Sequence, residues 1–133
     1  MLFSRNKPVF AQAEREDLFV LTINKLNNYG AKVDEGLGRC LNNEAIYFRL
    51  IGMAVEDAAF DKLEEGLKNG DLDAAFAAAH TLKGALGNLA LEPMYRPASE
   101  LTELLRHKTP GDYDALWQTI KEQRAALQAL IKD

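Results

Sequence analysis

The sequence predicts an all-α fold, an antiparallel up-down-up-down four-helix bundle with an N-terminal helical extension. Ala, Leu, Glu and Lys dominate the 133 residues, whereas proline (four) and β-branched residues are sparse, and this composition is typical of a helical protein. From Asn43 onward, four stripes of apolar residues follow one another at spacings of three and four, which place each stripe on one side of a helix. Links of about two to five residues join only antiparallel neighbours.

The part before the bundle is predicted to be a tail (1–13) and two helices, within one helical domain (14–133) whose bundle core spans about 43–131. The first helix is expected from about Glu14 to Tyr29, where Gly30 can take the left-handed conformation and end it. The second, short helix has Asp34 as its expected N-cap and turns three residues inward: Leu37, Cys40 and Leu41.

Gly70 is expected to end the helix of the first bundle stripe and so separates it from the second. The first stripe has Asp57 where an apolar residue is due, so it is either one long helix or two abutting ones; its members are Ile46, Leu50, Met53, Phe60, Leu63 and Leu67. The second stripe is expected to continue as one helix to about Ala90 and consists of Leu72, Ala75, Ala79, Leu82, Leu86 and Leu89.

The last two stripes are bounded by proline and by a capping aspartate. Pro93 suits the first turn of the third helix, Pro97 is expected to bend it, and Pro110 with Gly111 ends it. The stripe itself is Met94, Ala98, Leu101 and Leu105. Asp112 is the expected N-cap of the fourth helix, whose stripe is Tyr113, Leu116, Ile120, Leu127 and Leu130.

The charge, the hydropathy and the cysteine content of the chain argue against several classes of function. The 16 Lys and Arg against 20 Asp and Glu give a net charge of −4, which argues against nucleic acid as a partner. No stretch of eighteen apolar residues predicts a membrane span, and the N-terminus lacks the apolar segment of a signal peptide, so a cytoplasmic protein is expected. With Cys40 alone and two histidines, no disulfide or Cys/His zinc cluster is expected, and no cofactor or metal of its own is predicted.

One histidine stands in the second bundle stripe, in the segment "AFAAAHTLKGALGNLALEP". The apolar side of this helix centres about 130° away from His80 by helical count, so the imidazole is expected to be accessible. Within about 60° of it on the same side lie mostly short side chains: Asp73, Phe76, Ala77, Lys83, Gly84 and Gly87.

The two glycines raise the question of where this helix ends. Each costs about 1 kcal/mol relative to alanine inside a helix. One reading ends the helix at Gly84, with His80 and Lys83 complementing the dipole. The other continues it, because Leu86 and Leu89 keep the stripe in register beyond both glycines. The continuous helix is preferred, and the glycines are then explained by the close approach of another protein.

This face suits a phosphoryl acceptor. An exposed neutral imidazole is a competent nucleophile near pH 7, whereas a catalytic triad needs a converging serine, cysteine or second carboxylate that the segment lacks. An acceptor requires one accessible nitrogen, room for the donor protein and a cation for the added oxygens. Lys83, one turn after His80, is placed to be that cation.

The segment "AHTLKGALGNLAL" resembles the active-helix motif of histidine-containing phosphotransfer (HPt) domains, His-x-x-Lys-Gly followed by small residues and usually a further glycine. The likeness extends to "NNEAIYFRLIGMAVEDAAFDKLEEGLKNGDLDAAFAAAH" before it and to "PMYRPASELTELLR" after it, and so covers roughly residues 31 to 131. One departure is Ala90, where many members of the family have glycine.

The resemblance implies that His80 is phosphorylated, that Lys83 steadies the phosphoryl group and that Gly84 provides clearance for the partner. The implied partners are response-regulator receiver domains, which supply the Mg²⁺ of the reaction, and sensor histidine kinases, including hybrid ones. Docking is expected to involve Asp73, Phe76, Ala77 and Gly87.

Two other functions remain open at this stage. A helical bundle that only binds other proteins is the main alternative, although loss of the histidine or the lysine would be expected of it. An independent enzyme lacks a second catalytic group and a nucleotide-binding loop. His107, between Arg106 and Lys108, is expected to complement a helix dipole, and Cys40 to be an apolar packing residue.

Overall fold

The structure is a computed structural model that describes residues 20–132. Helices and their connections account for this range without any β-strand, which confirms the all-α class. The predicted tail (1–13) lies outside the described residues. In chain order the helices are α1 (Ile23–Tyr29), α2 (Val33–Arg39), α3 (Glu44–Ala54), α4 (Ala59–Asn69), α5 (Leu72–Asn88), α6 (Glu92–Arg106) and α7 (Tyr113–Lys132).

Four of these helices form the bundle. Helix α4 packs on α5, α5 on α6 and α6 on α7, and α7 returns to contact α4. The core between them is aliphatic and almost fully buried; its members include Leu63, Ala75, Ala79, Leu82, Leu86, Met94, Leu101, Leu105 and Ile120. The helical bundle is therefore confirmed, and the strict alternation of helix directions stays a prediction.

Within the described residues, the helix that ends at Tyr29 begins at Ile23. The predicted start at Glu14 falls outside the described residues, but Thr22 has extended backbone and its side chain accepts a hydrogen bond from the backbone N–H of Lys25. This N-cap fixes the start of α1 at Ile23. The predicted end is confirmed, because Gly30 adopts φ 109° and its N–H caps the preceding carbonyls.

The expectations for α2 are partly wrong. Its N-cap is Lys32, and Asp34 lies in the first turn instead. Cys40 is buried as expected, whereas Leu41 is 85% exposed. The reason is local: Leu41 has φ 59°, so the chain turns sharply after the helix and directs this side chain outward.

The first bundle stripe is two helices. Asp57 lies between the two, just before the N-cap Ala58 of the second, and its Oδ1 accepts a hydrogen bond from the backbone N–H of Ala59 at 2.7 Å. The break shifts the register before it, so the expected core positions Ile46 and Met53 are exposed, the latter by 63%. The buried face of α3 is formed instead by Tyr47, Phe48, Ile51 and Ala54.

Helices α2 and α3 attach to the bundle at the link between α5 and α6. The Tyr47 hydroxyl donates to the Leu89 carbonyl at 2.9 Å, and a Cβ on Gly36 would lie 2.6 Å from both of these oxygens. Burial, reinforced by the charge of Cys40, raises the pKa of Tyr47 to about 12. Arg39 donates to the Gly87 carbonyl at 2.8 Å. This joint fixes α2 beside the end of the histidine helix.

The remaining boundaries agree with the sequence. Pro93 lies in the first turn of α6, which continues through Pro97, and Asp112 caps α7 by accepting from the backbone N–H of Ala115. On the other side of the bundle, the buried Trp117 of α7 donates its indole N–H to Glu64 of α4 at 3.4 Å. Across residues 20–132, every helix is too short or too polar to cross a membrane.

Candidate functional site

His80 lies on the outer face of α5. The helix begins at the cap of Asp71, whose carboxylate accepts from the backbone N–H of Ala74. From there it runs without interruption through both glycines to Asn88, so the alternative that ended it at Gly84 is wrong. Its core side is buried, and His80 is exposed on the opposite side. The accessible imidazole that the helical count predicted is confirmed.

An aromatic ring lies beside the imidazole, and a cation lies over that ring. The ring centroids of Phe76 and His80 are 5.7 Å apart with an interplanar angle of 40°. Phe76 is half-buried against the core, so it supports the imidazole from below. The Arg106 guanidinium of α6 lies 5.0 Å from the Phe76 centroid, a distance at which a cation is attracted to a ring face.

Lys83 is held by a carboxylate of the neighbouring helix. Its Nζ lies 3.5 Å from Oε2 of Glu103, and its side chain is 28% exposed. The same carboxylate receives Nε–H of Arg106 at 3.3 Å from each oxygen. Partial desolvation works to raise the pKa of the Glu103 carboxyl, but the charges and hydrogen bonds of Arg106 and Lys83 outweigh it and lower the pKa.

The two glycines of α5 have different surroundings. A Cβ added to Gly84 would meet nothing within 4 Å, so this position is open to an approaching protein. A Cβ on Gly87 would lie 2.8 Å from the ring of Tyr95. Both glycines were expected to give clearance for a partner, whereas the space beside Gly87 is filled by a tyrosine of the same chain.

A shallow groove of about 510 Å³ runs along this part of α5. It brings together four of the predicted site residues, His80, Lys83, Gly84 and Gly87, with Glu35 and Arg39 of α2 and with Asn88, Glu92 and Tyr95. The N-terminal extension thus borders the surface that carries the histidine.

The other predicted docking residues lie outside this groove. Ala77 lines a separate depression between α4 and α5, so the structure does not bring it to the His80 groove. Asp73 is exposed and pairs with Lys108 at 3.4 Å, which places it toward the end of α6. His107 is the C-cap residue of α6 and is exposed, as expected for a residue at a helix end.

Sequence reasoning missed the residues that reach this surface from other helices. Glu103 and Arg106 are three apart on α6, a spacing that indicates a pair on one helix face, but nothing in the sequence connects that pair with Lys83. Arg39 and Tyr95 carry no comparable signal, because their contacts depend on how α2 and α6 cross α5.

Ala90, the departure from the family motif, has a left-handed backbone conformation. The residue is buried and has φ 57°, a left-handed conformation that costs a residue with a Cβ roughly 1 kcal/mol or more. Its carbonyl accepts from the backbone N–H of Lys32 at 2.9 Å, which helps to hold this conformation. The departure from the family pattern therefore affects backbone strain at the joint and not the space around His80.

An accessible imidazole on a continuous helix thus lies near a lysine and a glycine that is open to solvent. The family model of the Hpt domain matches residues 55–132, more than half of the chain, and the chain belongs to this family. The match begins after α3, so the N-terminal helices lie before it. Comparison with curated proteins and with solved structures finds no significant match.

Membership of this family fixes the general activity. Hpt domains take part in histidine phosphotransfer within phosphorelays and interact with receiver domains and histidine kinases. Membership of the family therefore implies, in general terms, histidine phosphotransfer in a phosphorelay.

Proposed function

We propose that His80 is the phosphoacceptor, and that the chain receives a phosphoryl group from a phospho-aspartate receiver or a sensor kinase and passes it to a receiver aspartate. The observation that carries this proposal is the exposed imidazole on α5 with open space at Gly84, one turn further on. His107, the other histidine, lacks such a setting because it follows the last turn of α6.

In the proposed step, a neutral imidazole nitrogen of His80 attacks the phosphorus of the receiver's aspartyl phosphate. The new P–N bond forms as the P–O bond to the aspartate breaks, and the electron pair of that bond leaves with the carboxylate. The proton on the other ring nitrogen stays in place, so no base on this chain is required. The reverse of this step transfers the phosphoryl group from His80 to the aspartate of a second receiver.

Two neighbouring residues support this step. Lys83 supplies positive charge for the phosphoryl oxygens, and its four-carbon stem lets the ammonium move toward them. Gly84 leaves room for the backbone of the receiver, which carries the Mg²⁺ that the transfer uses. The chain itself then needs only to present and orient the acceptor nitrogen.

The proposed docking surface surrounds His80. Phe76 offers half-buried apolar area beside the imidazole, and the pair of Asp73 and Lys108 adds charges at its edge. Gly87 leaves space for the ring of Tyr95, which lines the groove, and Ala77 lies on the flank of α5 that faces α4. Receiver domains and sensor kinases, including hybrid kinases, are the partners of this surface, and the cytoplasm is the compartment in which the relay operates.

The test is to mix the chain with a receiver domain charged at its aspartate, in the presence of Mg²⁺, and to look for acid-labile, base-stable phosphate on this chain. Wild type and His107→Gln are expected to become labelled, and His80→Gln is not. Label that persists in His80→Gln, or a wild type that stays unlabelled with a panel of receivers and kinases, would refute the proposal and leave a bundle that only binds proteins.

A further inference from the structure

Glu103 is a carboxylate that joins two cations beside the proposed acceptor. Arg106 approaches both of its oxygens from three residues further along α6, at 3.3 Å each. Lys83 reaches Oε2 from α5 at 3.5 Å. Because Arg106 also lies over the ring of Phe76, it fixes the carboxylate from its own helix, and Lys83 is the partner that is free to leave.

Glu103 and a phosphoryl group on His80 would compete for the Lys83 ammonium. The ammonium that would serve a phosphoryl group on His80 is paired with Glu103 in the unphosphorylated chain. A phosphoryl group carries more negative charge than a carboxylate and attracts the same ammonium more strongly. Arg106 stays with Glu103 after Lys83 has left, so the carboxylate is not stranded without a cation.

Resting on the proposed function at His80, we propose that Glu103 is a positioning residue that holds the Lys83 ammonium before phosphorylation and releases it to the phosphoryl group. The ion pair thereby sets the equilibrium of the phosphoryl group between His80 and the receiver aspartate. The movement of Lys83 from Glu103 to the phosphoryl group involves no proton transfer and no covalent bond, because Glu103 stays ionised and Lys83 stays protonated.

The sign of the effect follows from the competition. Breaking the pair between Lys83 and Glu103 opposes phosphorylation, and the negative charge of the carboxylate adds repulsion. Glu103→Gln removes both, so it shifts the equilibrium toward phosphohistidine. Exposed ion pairs are weak, and the expected increase in the equilibrium constant is about two- to fivefold.

The experiment measures the ratio of phosphohistidine to phospho-aspartate after transfer between the full chain and a receiver has come to equilibrium from both directions. This constant refers to the separated proteins, so a change in docking affinity alone does not alter it. The variants are Glu103→Gln, Lys83→Ala and their combination. Glu100→Gln is the matched control, because it removes the same charge from an exposed site on α6 that has no ion pair within residues 20–132.

The expected result is a two- to fivefold increase for Glu103→Gln over wild type, little change for Glu100→Gln, and a much smaller effect of Glu103→Gln when Lys83 is already alanine. The inference is overturned by an unchanged constant in Glu103→Gln or by an equal increase in Glu100→Gln. It is also overturned by an undiminished increase in the Lys83→Ala background, because the carboxylate would then act by repulsion alone.

Failure of the proposed function gives a different result. In that case wild type acquires no label at His80 and no equilibrium exists to compare. A labelled wild type with an unaltered Glu103→Gln variant refutes only the role of Glu103. Unfolding midpoints of all the variants identify any loss of label that is caused by loss of the fold.

Discussion

The outer face of α5 and the joint between α2 and the bundle both depend on glycine, for opposite reasons. At Gly84 a Cβ would project into open space, whereas at Gly36 it would lie 2.6 Å from the Leu89 carbonyl and the Tyr47 hydroxyl. Gly87 shares a helix with Gly84 but belongs with Gly36, because the ring of Tyr95 occupies its space. The missing side chain leaves an open surface in the first region and makes room for close packing in the second.

Substitutions at these two glycines should therefore affect different properties, namely the binding of a partner at Gly84 and the stability of the fold at Gly36. A side chain added at Gly84 is expected to change mainly the complex with another protein. A side chain added at Gly36 is expected to change the folded chain itself, since backbone and a buried hydroxyl cannot move aside cheaply. Three substitutions test this separation, in order of decreasing effect on the free energy of unfolding.

Gly36→Ala is expected to have the largest effect. It forces a methyl group against the buried oxygens of Tyr47 and Leu89, and overpacking of this kind costs about 1–3 kcal/mol. Urea unfolding measures the change. Gly38→Ala is the matched control on the same helix, because its Cβ would meet nothing within 4 Å. Equal effects of the two substitutions would contradict the tight joint.

Tyr47→Phe is expected to cost about 1 kcal/mol, because it removes the hydroxyl that donates to the Leu89 carbonyl. The substitution also alters the pH dependence. The folded pKa of about 12 lies above the unfolded value of about 10, so the contribution of Tyr47 is fully present below pH 10 and is lost as the pH rises toward 12.

Urea unfolding at pH 8 and at pH 11 measures this contribution. Between these two values wild type is expected to lose more stability than Tyr47→Phe. The same loss in both proteins would mean that the Tyr47 hydroxyl ionises as readily in the folded chain as in the unfolded one.

Gly84→Gln is expected to have the smallest effect on the fold. The unfolding free energy stays unchanged or rises by up to about 1 kcal/mol, because glutamine favours a helix more than glycine does. Transfer from a charged receiver should nevertheless slow at least tenfold, a loss of about 1.4 kcal/mol of transition-state stabilisation. Ala125→Gln introduces the same side chain at an exposed site on α7, away from the groove beside His80, and should transfer at nearly the wild-type rate.

The sequence predicted what depends on a single helix. The exposure of His80, the continuity of α5 and the caps at Gly30, Gly70 and Asp112 all follow from residue spacing and local chemistry. The buried face predicted for α3 was wrong because one apolar stripe was extended across Asp57, where the chain ends one helix and starts another.

Features that depend on the packing of two helices could not be predicted in this way. Gly84 and Gly87 look alike along the sequence, and only the position of Tyr95 on α6 distinguishes them. The pairing of Lys83 with Glu103 likewise needs the approach of α6 to α5. The missing family glycine at Ala90 was visible in the sequence, but its meaning required the backbone angle of 57°.

Trp117 gives the bundle a built-in optical signal. It is the single tryptophan of the chain. Its side chain is buried and extends from α7 to Glu64 of α4. It does not line the groove beside His80. Its emission should therefore change when the bundle unfolds and stay nearly constant when a receiver docks on α5. Intrinsic fluorescence can follow the stability of every variant above without a label, while a dye attached to the receiver reports the encounter separately.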